Sequence, residues 1–253
     1  MTTVADILQF LETVAPSQLK MDWDNVGLLC GDRNAPVSKI LVALDPFESV
    51  CREAADMGTD LLLTHHPLIF QGVSAVTEDT ETGRCIRLLS RSGISAVNAH
   101  TNLDCAPGGV NDVLAQTLGL TDIAVLEGGL LRCGNVPKQE LSEFLAHVKA
   151  VLGCEGLRYV NCGKPVCKVA VGGGSCGSEL LEAWRAGCDT FVTADVKYNQ
   201  FHDAAMLGIH LIDAGHFHTE NPVVPALAEK VAAAFPEIQV KISENHRDCM
   251  KYY

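Results

Sequence analysis

The chain has 253 residues, 47% of them hydrophobic, with 31 acidic against 19 basic side chains and a formal charge of −12. That length buries a large core in one domain or two, and no apolar run approaches the roughly 18 residues that a membrane helix needs. The acidic balance, with no Lys/Arg cluster to offset it, argues against a nucleic-acid partner, and eleven scattered cysteines without a CxxC pair argue against a disulfide framework and for a reducing, cytoplasmic setting.

In chain order, Thr3 to Asp6 reads as a capping box. It opens an amphipathic helix with Ile7, Leu8 and Leu11 on one face, stopped by Pro16, which is not the pattern of a signal peptide. Lys39 to Asp45 has the pattern of a buried strand, Phe47 to Met57 of a helix, and Asp60 to Thr64 of a second strand, all within one βαβ length. Strands are also predicted at Ile94–Asn98, Val166–Val171, Asp189–Thr193 and Ile209–Asp213. Strands alternating with helices predict an α/β fold, with mainly parallel sheets covered by helices. The expected first lobe spans residues 1–125, with 235–253 returning to it through a strand at Ile238–Ile242, and the second spans 126–234.

The chain also repeats itself. Gly58 to Thr64, followed by His65-His66, lines up with Gly187 to Thr193, followed by Ala194-Asp195. Gly93 to Ala99 lines up with Gly208 to Ala214. Any two helix-Gly-strand units look somewhat alike, so chance is the competing explanation. The shared order and the polar endings favour an internal duplication of two similar lobes.

Those polar endings carry the chemistry. His65-His66 closes the run Leu61-Leu62-Leu63-Thr64, the strand at Ile94 runs into His100 and Asp104, and the strand at Ile209 runs into His216 and Glu220. Ligands collect beyond the carboxyl ends of parallel strands, so these residues can converge. Taken singly, each suits a core, cap or turn position. Together His65, His66, His216, Asp104 and Glu220 offer imidazole nitrogen and carboxylate oxygen without thiolate, a donor set for Zn, Fe, Mn or Co. Five such ligands exceed what one tetrahedral ion takes, and a carboxylate can bridge two, so two divalent metal ions per chain are expected. His100 and His202 are the candidate proton carriers, since imidazole titrates near working pH.

A competing motif lies at Gly172 to Gly177, a GxGxxG between a predicted strand and a helix at Ser178–Arg185, with Asp195 further on. The spacing is that of a dinucleotide fingerprint, although its mid-chain position favours a plain tight turn. Backbone N–H groups there could hold a nucleotide phosphate.

The segments Trp23 to Leu28, Leu63 to Leu68, Ala99 to Asp104 and Ile212 to Glu220 resemble, in order, the motifs of the Nif-three-like family. These proteins are also known as GTP cyclohydrolase 1 type 2 homologues and include the YbgI-like dinuclear metal proteins. The resemblance covers nearly the whole chain and is to short members that lack an inserted middle domain. It implies two α/β lobes, a ring-shaped homohexamer, and a two-metal site with His66 and Asp104 on one ion, His65 and His216 on the other, and Glu220 bridging. Thr193-Ala194-Asp195 departs from the Thr-Gly-Asp or Thr-Gly-Glu of the family, and Cys105 stands where a small residue is expected. Cys105 is either a buried thiol or an adventitious ligand. The implied activity is a metal-dependent hydrolase acting on a nucleotide-type substrate; for GTP ring opening, water would attack C8 of guanine and formate would leave. A phosphate-ester hydrolase, or a metal-binding assembly or regulatory factor without turnover, would use the same donors.

Overall fold

The computed structural model describes residues 1–253, and the chain divides into two compact units, Met1–Pro107 with Val224–Arg247 and Gly108–Val223 with Asp248–Tyr253. The first unit contains α1 (Val4–Val14), β1 (Gly27–Cys30), β2 (Lys39–Ala43), α2 (Glu48–Asp56), β3 (Leu61–Thr64), α3 (Glu81–Arg91), β4 (Ser95–Asn98) and α4 (Thr101–Cys105). The second contains α5 (Val110–Thr117), β5 (Thr121–Val125), β6 (Arg132–Gln139), α6 (Leu141–Leu152), β7 (Arg158–Val160), β8 (Val166–Val171), α7 (Leu180–Arg185), β9 (Thr190–Thr193), α8 (Tyr198–Leu207), β10 (His210–Asp213) and α9 (His216–Glu220). After α10 (Val223–Ala234), the strand β11 (Gln239–Ile242) rejoins the first unit.

Helix α1 begins as its sequence dictates. Thr3 N donates to Asp6 Oδ2 at 2.8 Å while Thr3 Oγ1 accepts from Asp6 N at 3.4 Å, and Val4, Ile7 and Leu11 are buried. Helix α2 fills the predicted span, with Phe47 and Met57 as its caps.

The first sheet has the order β1-β4-β3-β2-β11, with β1 the antiparallel edge and the other four strands parallel. Central β3 explains the unbroken Leu61-Leu62-Leu63 run. A parallel strand covered on both faces needs apolar side chains on each, and all three leucines are fully buried.

The second sheet, β5-β6-β8-β9-β10-β7, keeps β8, β9 and β10 parallel but adds antiparallel β5, β6 and β7, so it is mixed rather than mainly parallel. The link from β5 to β6 is too short for a crossover helix and makes a hairpin. That pairing draws β5 into the second unit, so the units divide at Pro107 and Gly108 instead of near Val125. β11 pairs in parallel with β2. The last residues belong with the second unit, where Asp248 Oδ2 lies 3.2 Å from His218 Nε2.

The internal repeat is visible in the strand registers. Thr64 pairs with Asn98 between β3 and β4, and Thr193 with Asp213 between β9 and β10, the partners that the two sequence alignments require. Side chains repeat as well. Asp60 Oδ2 accepts from Ser38 N and Lys39 N, and Asp189 Oδ2 accepts from Cys167 N and Lys168 N. Lys39 Nζ donates to Met57 O at 2.7 Å, and Lys168 Nζ donates to Ala186 O at 2.6 Å. Chance similarity of two strand patterns does not reproduce long-range bonds of this kind, so the lobes share one plan.

Candidate metal centre

Each unit gathers its own share of the donors. In the first, His65 and His66 follow β3, their backbone N–H groups still bonded to Ala43 O and Leu44 O beside β2. His100 caps α4, and Asp104 N bonds to His100 O at 3.0 Å, which sets the carboxylate one helical turn beyond the histidine. Ring nitrogens of His65, His66 and His100 lie within 4.8 Å of one another, and His65 Nε2 stands 3.5 Å from Asp104 Oδ1. In the second unit α9 carries His216 and Glu220 four residues apart on one face, with His216 Nε2 3.0 Å from Glu220 Oε2.

All four of these imidazoles are oriented the same way. Nδ1 faces an acceptor in each: Ala99 O for His65 at 2.9 Å, Asp45 Oδ1 for His66 at 2.7 Å, Asp24 Oδ1 for His100 at 2.8 Å, and Asp195 Oδ2 for His216 at 2.7 Å. A nitrogen facing a carbonyl or carboxylate carries the proton, which makes Nε2 the unprotonated nitrogen of the neutral ring. Asp45 is itself held by a second histidine, His246 Nε2, at 2.8 Å. The His246 ring stacks on Phe47, and its segment is anchored by buried Glu53, which accepts from Ser243 Oγ, Glu244 N and Asn245 N.

The donors fit a hard or borderline divalent cation. His65 Nε2 and Asp104 Oδ1 are acceptor against acceptor, and His216 Nε2 meets Glu220 Oε2 in the same sense. Two ligands on one ion at about 2.0–2.2 Å lie roughly 3–3.5 Å from each other. Both separations, 3.5 and 3.0 Å, fall on that scale.

The glycine-rich turn serves Glu220. Gly172 N bonds to Val192 O, Gly173 N to Asn111 Oδ1, Gly174 N to Thr219 Oγ1 and Cys176 N to Thr193 Oγ1. Four of the amides that a dinucleotide or phosphate site would present are thus spent inside the protein. A Cβ on Gly174, whose φ is +64°, would stand 2.0 Å from Glu220 Oε1, and one on Gly173 would stand 3.2 Å from Glu220 Cγ. The glycines let a buried carboxylate lie directly on the backbone.

The supporting carboxylates are ionised well into acid. For Asp24, burial is the largest influence and raises its pKa. It is outweighed by hydrogen bonds from His100 and Thr101, so the group ends well below the usual range. Asp45 follows the same logic, with bonds from His246 and His66 overcoming burial.

Comparison with known proteins identifies the family. The DUF34/NIF3 (NGG1p interacting factor 3) family profile matches residues 2–248. The chain belongs to the DUF34/NIF3 family. A Clostridium perfringens protein named GTP cyclohydrolase 1 type 2 homolog is 35% identical over 257 residues, covering 98% of each chain. A Lactococcus lactis protein of the same name is 35% identical over 256 residues, covering 99% of this chain and 98% of its own. Among solved structures, Staphylococcus aureus hypothetical protein SA1388 superposes with a TM-score of 0.94 at 28% identity and 99% coverage of both chains.

In this DUF34/NIF3 chain the departure at Ala194 is accommodated without strain, because Asp195 (φ 51°) takes the left-handed conformation and Ala194 does not. Asp195 then turns back to hold His216. Cys105 closes α4, half-buried. His202 lies exposed on α8, its ring edge-on to Tyr198 at 5.9 Å. The sequence reading assigned no role to Asp24, Asp45 or His246. Asp24 and Asp45 were within reach, one inside the Trp23–Leu28 motif and the other at the end of a predicted strand, but His246 had no signal. No helix is long and apolar enough to cross a membrane.

Proposed function

We propose that the chain is a cytoplasmic hydrolase dependent on two divalent metal ions, similar to the GTP cyclohydrolase 1 type 2 homologues, that directs water onto a nucleotide-type substrate. The observation that carries this reading is the common orientation of the four imidazoles, each with Nδ1 facing a carbonyl or carboxylate, beside the buried carboxylates of Asp104 and Glu220. The assignment of His66 and Asp104 to one ion, His65 and His216 to the other, and Glu220 as the bridge is drawn from the family resemblance. Imidazole nitrogen and carboxylate oxygen in each half suit such ions, while the 3.5 Å between His65 Nε2 and Asp104 Oδ1 is equally the spacing of two ligands on one ion. Self-association into a homohexamer belongs to the same proposal.

When bound, the ions supply Lewis acidity and make water a competent nucleophile near neutral pH. The chain's own residues hold and aim. Asp45 and Asp195 keep the Nδ1 protons of His66 and His216 in place, and the Ala99 carbonyl does so for His65. His100 transfers protons at Nε2, because ionised Asp24 fixes its Nδ1–H and its ring lies beside those of His65 and His66. That role falls to His100 rather than His202, whose ring is exposed and has no carboxylate at Nδ1 to set its tautomer.

Elemental analysis of protein purified without added metal, followed by an activity screen over nucleotides and phosphate esters, tests the proposal. About two ions per chain and metal-dependent turnover of a nucleotide are expected. Glu220→Gln keeps the size of the side chain but removes its charge, so bound metal should fall well below two. His100→Asn should keep the metal and lose about 10²-fold in turnover. Full metal occupancy with no turnover of any substrate class would leave a metal-binding factor instead, and turnover of phosphate esters alone would move the substrate class.

A further inference from the structure

Two large aromatic side chains beside His100 remain without a role. Trp23 is 62% exposed and Phe70 52% exposed, although residues of this size normally bury most of their surface. Their ring centroids are 5.8 Å apart with planes at 75°, and the His100 ring meets Trp23 at 6.2 Å and 73° and Phe70 at 6.1 Å and 80°. All three contacts are near-perpendicular, so the rings meet at a corner and none stacks flat on another. On its other side the His100 ring lies 5.2 Å from His65 and 5.4 Å from His66, which makes the corner continuous with the donor set of the first unit.

The corner is also held in place. Asn25 Nδ2 donates to Ile69 O at 2.7 Å, clamping the segment that carries Trp23 to the one that carries Phe70, and Asn98 Nδ2 at the end of β4 donates to Asn25 O at 3.1 Å. Asp24, between Trp23 and Asn25, holds both the Nδ1 of His100 and the N–H and hydroxyl of Thr101. These bonds pin the backbone on one side of each aromatic residue, at Asp24 and Asn25 for Trp23 and at Ile69 for Phe70. A flat ring sliding into the corner gains one face-on and one edge-on aromatic contact without reorganising the protein.

We infer that Trp23 and Phe70 form the recognition platform for a planar heteroaromatic ring, the base of a nucleotide substrate, and present it to His100. This deepens the proposed function and rests on it for the identity of the site. Stacking of a base on an aromatic side chain is strong enough that losing one such partner weakens binding about 10-fold or more.

The test uses the fluorescence of Trp23, one of two tryptophans in the chain, in the full-length Trp184→Phe protein. GMP is the probe and ribose 5-phosphate, which lacks the base, is the control. Saturable quenching by GMP, none by ribose 5-phosphate, a Kd raised about 10-fold or more by Phe70→Ala and restored by Phe70→Tyr is the expected result. Equal responses to the two probes would overturn the platform, since the phosphate alone would then be recognised. No response, with Trp23 also shielded from acrylamide, would overturn it because another copy of the chain covers the rings. No response with Trp23 open to acrylamide would overturn it outright. Measuring turnover of the metal-loaded protein beside the titration separates the two claims: base-dependent quenching without any turnover sinks the hydrolase and keeps the platform. Turnover without base-dependent quenching does the reverse.

Discussion

Gly174→Ala should strip metal from the protein while leaving it folded. The new methyl would stand 2.0 Å from Glu220 Oε1, 3.0 Å from Glu220 Cδ and 3.1 Å from His216 Nε2. The carboxylate must retreat by roughly 1 Å before the contact is tolerable, while metal–ligand distances hold to about ±0.2 Å. Affinity should therefore fall at least as far as when an outer-sphere partner is lost, about 10- to 100-fold. The backbone adds a separate cost, because φ is +64° and an L-residue there costs about 1–2 kcal/mol, or roughly 2–8 °C in a domain protein of this size. Gly187→Ala isolates that cost: its φ is +75° and nothing lies within 4 Å of the added Cβ. Melting curves and elemental analysis after dialysis should show similar losses of Tm in both variants but loss of metal only in Gly174→Ala. Wild-type metal content in Gly174→Ala, or equal loss in Gly187→Ala, would refute the argument that the glycine turn exists to seat Glu220.

Other outcomes follow from the supporting residues. His246→Gln retains a donor at the position of Nε2 and should keep near-normal metal affinity, whereas His246→Leu leaves Asp45 with one fewer bond and should weaken it about 10-fold or more; equal behaviour would show that His246 only packs on Phe47. Asp24 has a depressed folded pKa, so its stabilisation is fully present above its unfolded value of about 4 and is lost as pH falls through the folded value. Asp24→Asn should accordingly destabilise the protein at neutral pH by urea unfolding, with the gap to wild type closing as the pH drops below about 4. A gap that is constant with pH would mean that charge is not what Asp24 contributes. A homohexamer should elute from a sizing column near six times the chain mass of 27.1 kDa, and monomer at micromolar concentration would rule that assembly out.

The sequence by itself determined what depends on neighbours along the chain. The capping box at Thr3–Asp6, the buried run at Leu61–Leu63, the caps of α2 and the duplicated strand units are all local patterns, and each is present in the fold. The five proposed ligands were picked out on the same ground, since each follows a strand end that periodicity marks. Their helical setting was not: the sequence reading left both as polar ends of strands, and the fold makes His100 to Asp104 and His216 to Glu220 one helical turn each. Tertiary structure alone decided which residue supports which. Asp45 and His246 meet across 201 positions, and His100 and Asp24 across 76, distances over which no sequence period extends. It also decided that the glycines after β8 serve a carboxylate rather than a phosphate, because a GxGxxG turn looks the same until the partners of its amides are known. The division between units was hidden for a related reason. The hairpin of β5 with β6 is a choice of pairing partner, made by the sheet and not by either strand.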